Sequence, residues 1–133
     1  MSANLDLVRS LYAAWERGDF SSKEWAHPQI EWIVADGPTA GSRMGVAGME
    51  EHFGYMLGAW EGFRLKVDEY RELEADRILV LVRISGRGKT SGLDLSRTPA
   101  QGAHILRVRN GQVVRSDFYW DRDHALADRG LEE

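Results

Sequence analysis

The chain has 133 residues, 43% hydrophobic and 29% charged, with a net charge of −4 and no cysteine. A single domain of this size buries roughly two-thirds of the surface that its unfolded chain exposes. Disulfides, thiolate metal sites and cysteine nucleophiles are excluded outright. The acidic balance argues against nucleic acid or an anionic membrane as partner, because both attract basic surfaces. The start, Met1 to Asp6, lacks the basic and apolar regions of a signal peptide, and no apolar run reaches the length of a membrane span. A cytoplasmic location is the expectation.

Leu5, Val8, Leu11, Tyr12 and Trp15 recur at three- and four-residue spacing, which predicts a helix over residues 4–17 capped by Asn4 and ended by Gly18-Asp19. Ser21 to Trp25 reads as a short second helix stopped by His27-Pro28. A strand follows from Ile30 to Ala35, and Asp36-Gly37-Pro38 marks its turn. Residues 37–48 read as a glycine-rich loop, and Met49, Phe53, Met56, Leu57 and Trp60 mark a third helix. The period then switches to two. Strands are expected from Phe63, over Ile78 to Ile84, Ala103 to Val108 and Val113 to Trp120, with Asn110-Gly111 as a tight hairpin turn. Asp121 caps a last short helix that ends near Gly130. Helices followed by a run of strands argue for an α+β fold in which residues 1–133 form one domain.

Three segments carry a resemblance. Leu11-Tyr12-Ala13-Ala14-Trp15-Glu16-Arg17-Gly18-Asp19-Phe20, His27-Pro28-Gln29-Ile30-Glu31-Trp32 and Arg109-Asn110-Gly111-Gln112-Val113-Val114 resemble the SnoaL-like branch of the nuclear transport factor 2-like superfamily. That superfamily includes ketosteroid isomerases, polyketide cyclases, epoxide hydrolases, dehydratases and members that only bind. The resemblance implies a cone of strongly bent antiparallel sheet with three N-terminal helices packed over its concave face. It also implies pairing as a homodimer through the outer sheet face. No cofactor is expected, and no metal, since the four histidines show no ligand spacing with one another.

Asp36 shares strand parity with Trp32 and Val34 and ends that strand, so it is expected to face the cavity. By the resemblance it stands where ketosteroid isomerases carry a general-base aspartate, and apolar walls raise a carboxylate's pKa toward neutral. The plainer alternative is a turn-forming aspartate. His104 shares a strand face with Leu106 and Val108, and by the resemblance it stands where ketosteroid isomerases carry an oxyanion-stabilising acid. Its plainer alternative is a core histidine with satisfied nitrogens. The position of the isomerases' helix-one tyrosine is held here by Leu11, with Tyr12 about 100° further round the helix.

Tyr12, Trp15, Trp32 and Phe53 are candidates to line a pocket for a flat apolar molecule, with plain core as the alternative. Met56, Trp60, Phe118 and Trp120 are read the same way. Asp117 and Tyr119 point outward, and Leu79, Leu81, Arg83, Ile105, Arg107 and Arg115 join them on a face that suits a dimer contact. Gly88-Lys89-Thr90 imitates the tail of a phosphate-binding P-loop but has Arg83 where that motif needs glycine and no helix after it, and Gly86 to Ser91 lacks the third glycine of a dinucleotide fingerprint. Two functions fit these residues. One is an enzyme in which Asp36 and His104 move a proton on an apolar substrate (isomerase, cyclase or dehydratase). The other is a non-catalytic binding or accessory protein with the same cavity.

Overall fold

In the computed structural model, residues 2–37, 39–89, 92–95 and 97–131 are described. Pro38 of the expected Asp36-Gly37-Pro38 turn and Thr90 and Ser91 of the Gly86–Ser91 run lie outside them. The elements run α1 (Ala3–Glu16), β1 (Ala26–Val34), β2 (Gly41–Met44), α2 (Gly45–Ala59), β3 (Trp60–Leu73), β4 (Arg77–Gly88), β5 (Ala100–Arg109), β6 (Gln112–Tyr119) and α3 (Arg122–Asp128). The fold class is α+β, as expected.

One six-stranded sheet, in the order β2-β1-β6-β5-β4-β3, carries the whole chain. It is open, so β2 and β3 form its edges. All neighbours are antiparallel except β1 and β6, which run parallel. The expected purely antiparallel sheet is thus mixed. A strand that leaves the sheet for β2 and α2 and is rejoined only by the last strand pairs across most of the sequence, and local patterning does not reveal that direction. Register breaks between Glu61 and Arg64 and between Val67 and Glu69 interrupt the β3–β4 ladder, and such bulges bend a sheet. The β5–β6 turn forms as read: Asn110 and Gly111 both take positive φ, at 50° and 76°, the geometry a two-residue hairpin requires.

Two helices, not three, precede the main sheet strands. The 21–25 segment is irregular and ends in a turn. Asp19 Oδ1 accepts the Ser21 backbone N–H and hydroxyl, and the buried Trp25 indole donates to the Ser22 carbonyl at 2.8 Å. These local bonds replace the helical ladder. The α1 cap is Ser2, whose hydroxyl accepts from Leu5 N–H at 3.0 Å, and not Asn4. Within the expected 37–48 loop, Gly41–Met44 forms an edge strand paired with β1, and α2 begins at Gly45. No helix among the described residues is long and apolar enough to cross a membrane.

The sheet has two apolar faces. On one, Val8, Leu11, Tyr12 and Trp15 of α1 and Met49, Phe53 and Met56 of α2 pack against inward residues of β1, β4 and β5. On the other, Leu79, Leu81, Ala103, Ile105 and Tyr119 are buried beneath Ala125 and Leu126 of α3. This second cluster changes the reading of the outer face. Its leucines and isoleucine are covered by the chain's own C-terminal helix, so they no longer argue for a second copy there.

Leu126 is nearly buried in that outer cluster. Its replacement by Ala is expected to lower the unfolding free energy by about 2–4 kcal/mol, the usual cost of emptying such a site. Urea unfolding checks this, and a loss below about 0.5 kcal/mol, the range of surface substitutions, would show that α3 does not cover the face.

Candidate functional site

The inner face converges on His104. The ring, 1% exposed, lies within 6 Å of four aromatic neighbours: stacked on Trp15 with planes 9° apart, and edge-on to Tyr12, Trp32 and Phe118. Both nitrogens are engaged. Tyr12 Oη lies 2.5 Å from Nδ1, and Ser116 Oγ lies 2.5 Å from Nε2. Tyr12 and Ser116 are also fully buried. Strand geometry explains the assembly: His104 pairs with Phe118 across the β5–β6 ladder, and Leu106 pairs with Ser116, so Ser116 sits one same-face step away.

Burial sets the protonation states. Removal from water holds the His104 imidazole at a pKa of about 3, with His52 nearby adding to the effect. The ring is therefore neutral at physiological pH. Burial likewise pushes the Tyr12 phenol well above its ordinary value. A neutral imidazole has one N–H and one lone pair, so the three residues form a chain of donors pointing one way.

A second histidine, His52 on α2, was not anticipated. Trp32 Nε1 donates to its Nδ1 at 3.1 Å, and its Nε2 faces Thr39 Oγ1 at 3.2 Å. The indole donor fixes Nδ1 as the acceptor, so Nε2 carries the proton. Burial lowers this imidazole to about 4, with Arg43 contributing. His52 occupies the i+3 position from Met49 on the buried face of α2, and that spacing is the signal by which it was available from sequence.

Around these groups lies a cavity. Tyr12, Trp15, Trp32, Phe53, Met56 and Phe118 line it together with His104. Phe20, His52, Phe63 and Leu65 complete the wall. The void measures about 20 Å³, room for a single water. Phe20 and Phe63 are half-buried, as Phe118 is, and their rings lie 6.2 Å apart. Trp60 and Trp120 are not part of it. They stack on each other at 5.8 Å, beside Phe118. The Trp120 indole N–H is buried without a hydrogen-bond partner among the described residues.

Asp36 does not line this cavity. Its Oδ1 accepts from the Trp120 backbone N–H and its Oδ2 pairs with His124 Nδ1 at 2.8 Å. The last backbone rung of the β1–β6 ladder is Ala35 N–H to the Phe118 carbonyl, and the Asp36 carboxylate adds one more. It is a clasp between β1, β6 and α3, neither a base facing His104 nor the head of a local turn. Parity points it inward, but the Trp120 backbone N–H, which needs an acceptor, and the neighbouring His124 imidazole draw it to the strand ends. The hydrogen bond to Asp36 raises the His124 pKa.

The one-residue offset read on helix one also resolves. Tyr12, one residue on from Leu11, presents its hydroxyl to His104. Asp117 lies on the outer face beneath Arg115 and Arg129, as its parity required. Among the described residues, no group of three or more histidine and carboxylate side chains is arranged to hold a metal ion.

The profile of the SnoaL-like domain matches residues 8–116. The chain belongs to the SnoaL-like domain family. Its fold is that of the nuclear transport factor 2-like superfamily. A nuclear transport factor 2-like protein from Burkholderia thailandensis superposes over 100% of both chains with a TM-score of 0.77 and 25% identity. TerC, crystallised with polyporic acid, matches over 98% of both chains with a TM-score of 0.74 and 23% identity. A proposed SnoaL-like polyketide cyclase from Mesorhizobium loti covers 89% of this chain and 99% of its own, with a TM-score of 0.71 and 15% identity. Among curated proteins, no match was found.

Neutral burial of His104 and His52 makes this SnoaL-like domain acid-sensitive. Both folded-state values lie below the ordinary 6.5, so the unfolded chain binds more protons between about pH 6.5 and 4, and stability falls as pH drops through that window. For His104 alone the loss at pH 5 is roughly 2 kcal/mol. His124 acts oppositely: its contribution is complete at low pH and is lost as pH rises through its raised value. Imidazole nitrogen shifts in NMR check the assignment. His104 is expected to stay neutral at pH 5, and titration near pH 6.5 would contradict it.

Proposed function

We propose that this chain admits a small, flat, largely apolar molecule carrying a carbonyl or enol oxygen and promotes cofactor-free proton transfer on it, of the isomerase, cyclase or dehydratase type. The observation that supports this reading is the Tyr12–His104–Ser116 chain, fully buried at an otherwise aromatic wall. With the imidazole protonated on Nδ1, Ser116 donates to Nε2, Nδ1–H donates to Tyr12 Oη, and the phenol O–H is free for the ligand oxygen. Each bond polarises the next. A donor held where negative charge develops lowers the barrier to enolisation. Tyr12 is the catalytic residue in this scheme, and His104 and Ser116 are positioning residues.

Among the described residues no carboxylate lines the cavity, so the proton leaving the substrate carbon passes to a water admitted with the substrate. Asp36 has no part in the step. Entry requires Phe20 and Phe63 to swing aside, because the resting void holds only one water. The polyporic acid crystallised with TerC and the cyclase assignment of the Mesorhizobium protein support this ligand class for the fold. The missing carboxylate favours the second reading, in which the same cavity binds the molecule without turning it over.

1-Tetralone, a flat aryl ketone with one enolisable position, separates the two. In deuterated water the protein is expected to accelerate exchange at that position, measured by mass spectrometry. Tyr12→Phe keeps the ring and is expected to lose about a hundredfold of that rate. Binding by tryptophan quenching without exchange above buffer supports the second reading. Equal exchange by Tyr12→Phe refutes the catalytic one.

A further inference from the structure

The outer face carries a feature that neither the cone nor its cavity explains. Arg77, Arg107 and Arg115 stand directly opposite one another on β4, β5 and β6. Like charges in direct cross-strand register repel and destabilise a sheet. Arg115 is answered: Asp117 takes it in a two-point bond at 2.9 and 3.2 Å, and Glu31 adds a contact at 3.2 Å. Asp117 also holds Arg129 at 3.1 Å. Arg77 and Arg107 form no ion pair among the described residues. Each instead donates its Nε–H to a carbonyl of the tight turn before β4, Arg77 to Glu74 at 3.0 Å and Arg107 to Ala75 at 3.2 Å.

That anchoring matters. A guanidinium fixed through Nε keeps both terminal nitrogens free in a rigid plane, the arrangement that grips an oxyanion with two parallel bonds. The four arginines, with Ala75 and the Asp117 carboxylate that Arg115 and Arg129 neutralise, line one recess of about 260 Å³ over Ile105, ample room for an oxyanion group. We propose that this recess is a binding site for a small oxyanion, a phosphate or carboxylate group, with Arg107 at its centre and Arg77 beside it. Asp117 holds Arg115 and Arg129 in place as the flanks. The bound anion relieves the repulsion along the arginine row.

The test is thermal unfolding and calorimetric titration with inorganic phosphate at constant ionic strength, with chloride as the balancing salt. The protein is expected to show a saturable rise in Tm. Arg107→Gln is expected to weaken phosphate binding at least about tenfold, while Arg87→Gln, an exposed arginine on the far end of β4, leaves it unchanged. Without phosphate, Arg107→Gln is expected to melt no lower than the parent, since it removes a like charge and keeps an amide donor for Ala75. No saturable response, or an equal response in both variants, overturns the proposal. So does a phosphate-independent dimer in sedimentation that dissociates in Arg107→Gln, which would give the arginines to a contact between copies.

Discussion

Burying an imidazole under four aromatic rings is possible only if the ring is neutral and both nitrogens are answered, and the inner half of this structure follows from that condition. Tyr12 must reach down from α1 and Ser116 must stand on the strand beside β5. Supplying those two partners fixes the angle at which α1 lies on the sheet and the register of the β5–β6 hairpin. The aromatic wall then excludes water, which deepens the neutrality that made the arrangement possible. The same polar chain that satisfies the core is the group best placed to meet a ligand oxygen.

Strand β5 serves both faces. His104, Leu106 and Val108 look into the cone, while Ala103, Ile105 and Arg107 look out. The outer apolar residues are closed over by α3, itself tied to the strand ends through His124 and Asp36. Arg77, Arg107, Arg115 and Arg129 border the recess left on that face. The chain thus separates an aromatic interior around His104 from an outer surface with a row of arginines, with a single strand as the partition.

Much of this was legible in the sequence where the signal is local. The three- and four-residue spacing of Val8, Leu11, Tyr12 and Trp15 gave α1, and Asn110-Gly111 gave the hairpin, because backbone propensity and turn chemistry act within a few residues. His104 and six of the eight expected lining residues face the cavity for the same reason: strand parity and helix phase are short-range properties. The failures are long-range. Asp36 left its parity because a backbone N–H 84 residues away needed an acceptor. The parallel β1–β6 pair, the cover that α3 lays over Leu79 and Ile105, and the choice of Tyr12 over Leu11 each depend on contacts between distant segments. Trp60 and Trp120 have the aromatic character of wall residues, yet they stack on each other beside the cavity and do not line it.

The central claim is that Tyr12, backed by neutral His104 and Ser116, polarises the oxygen of a bound carbonyl. The infrared difference spectrum of carbonyl-labelled 1-tetralone bound to the protein and to Tyr12→Phe tests it most directly. The account predicts a carbonyl band below its position in an apolar solvent for the unmodified protein, returning to that position in Tyr12→Phe. A band at the apolar-solvent position in both proteins would contradict it.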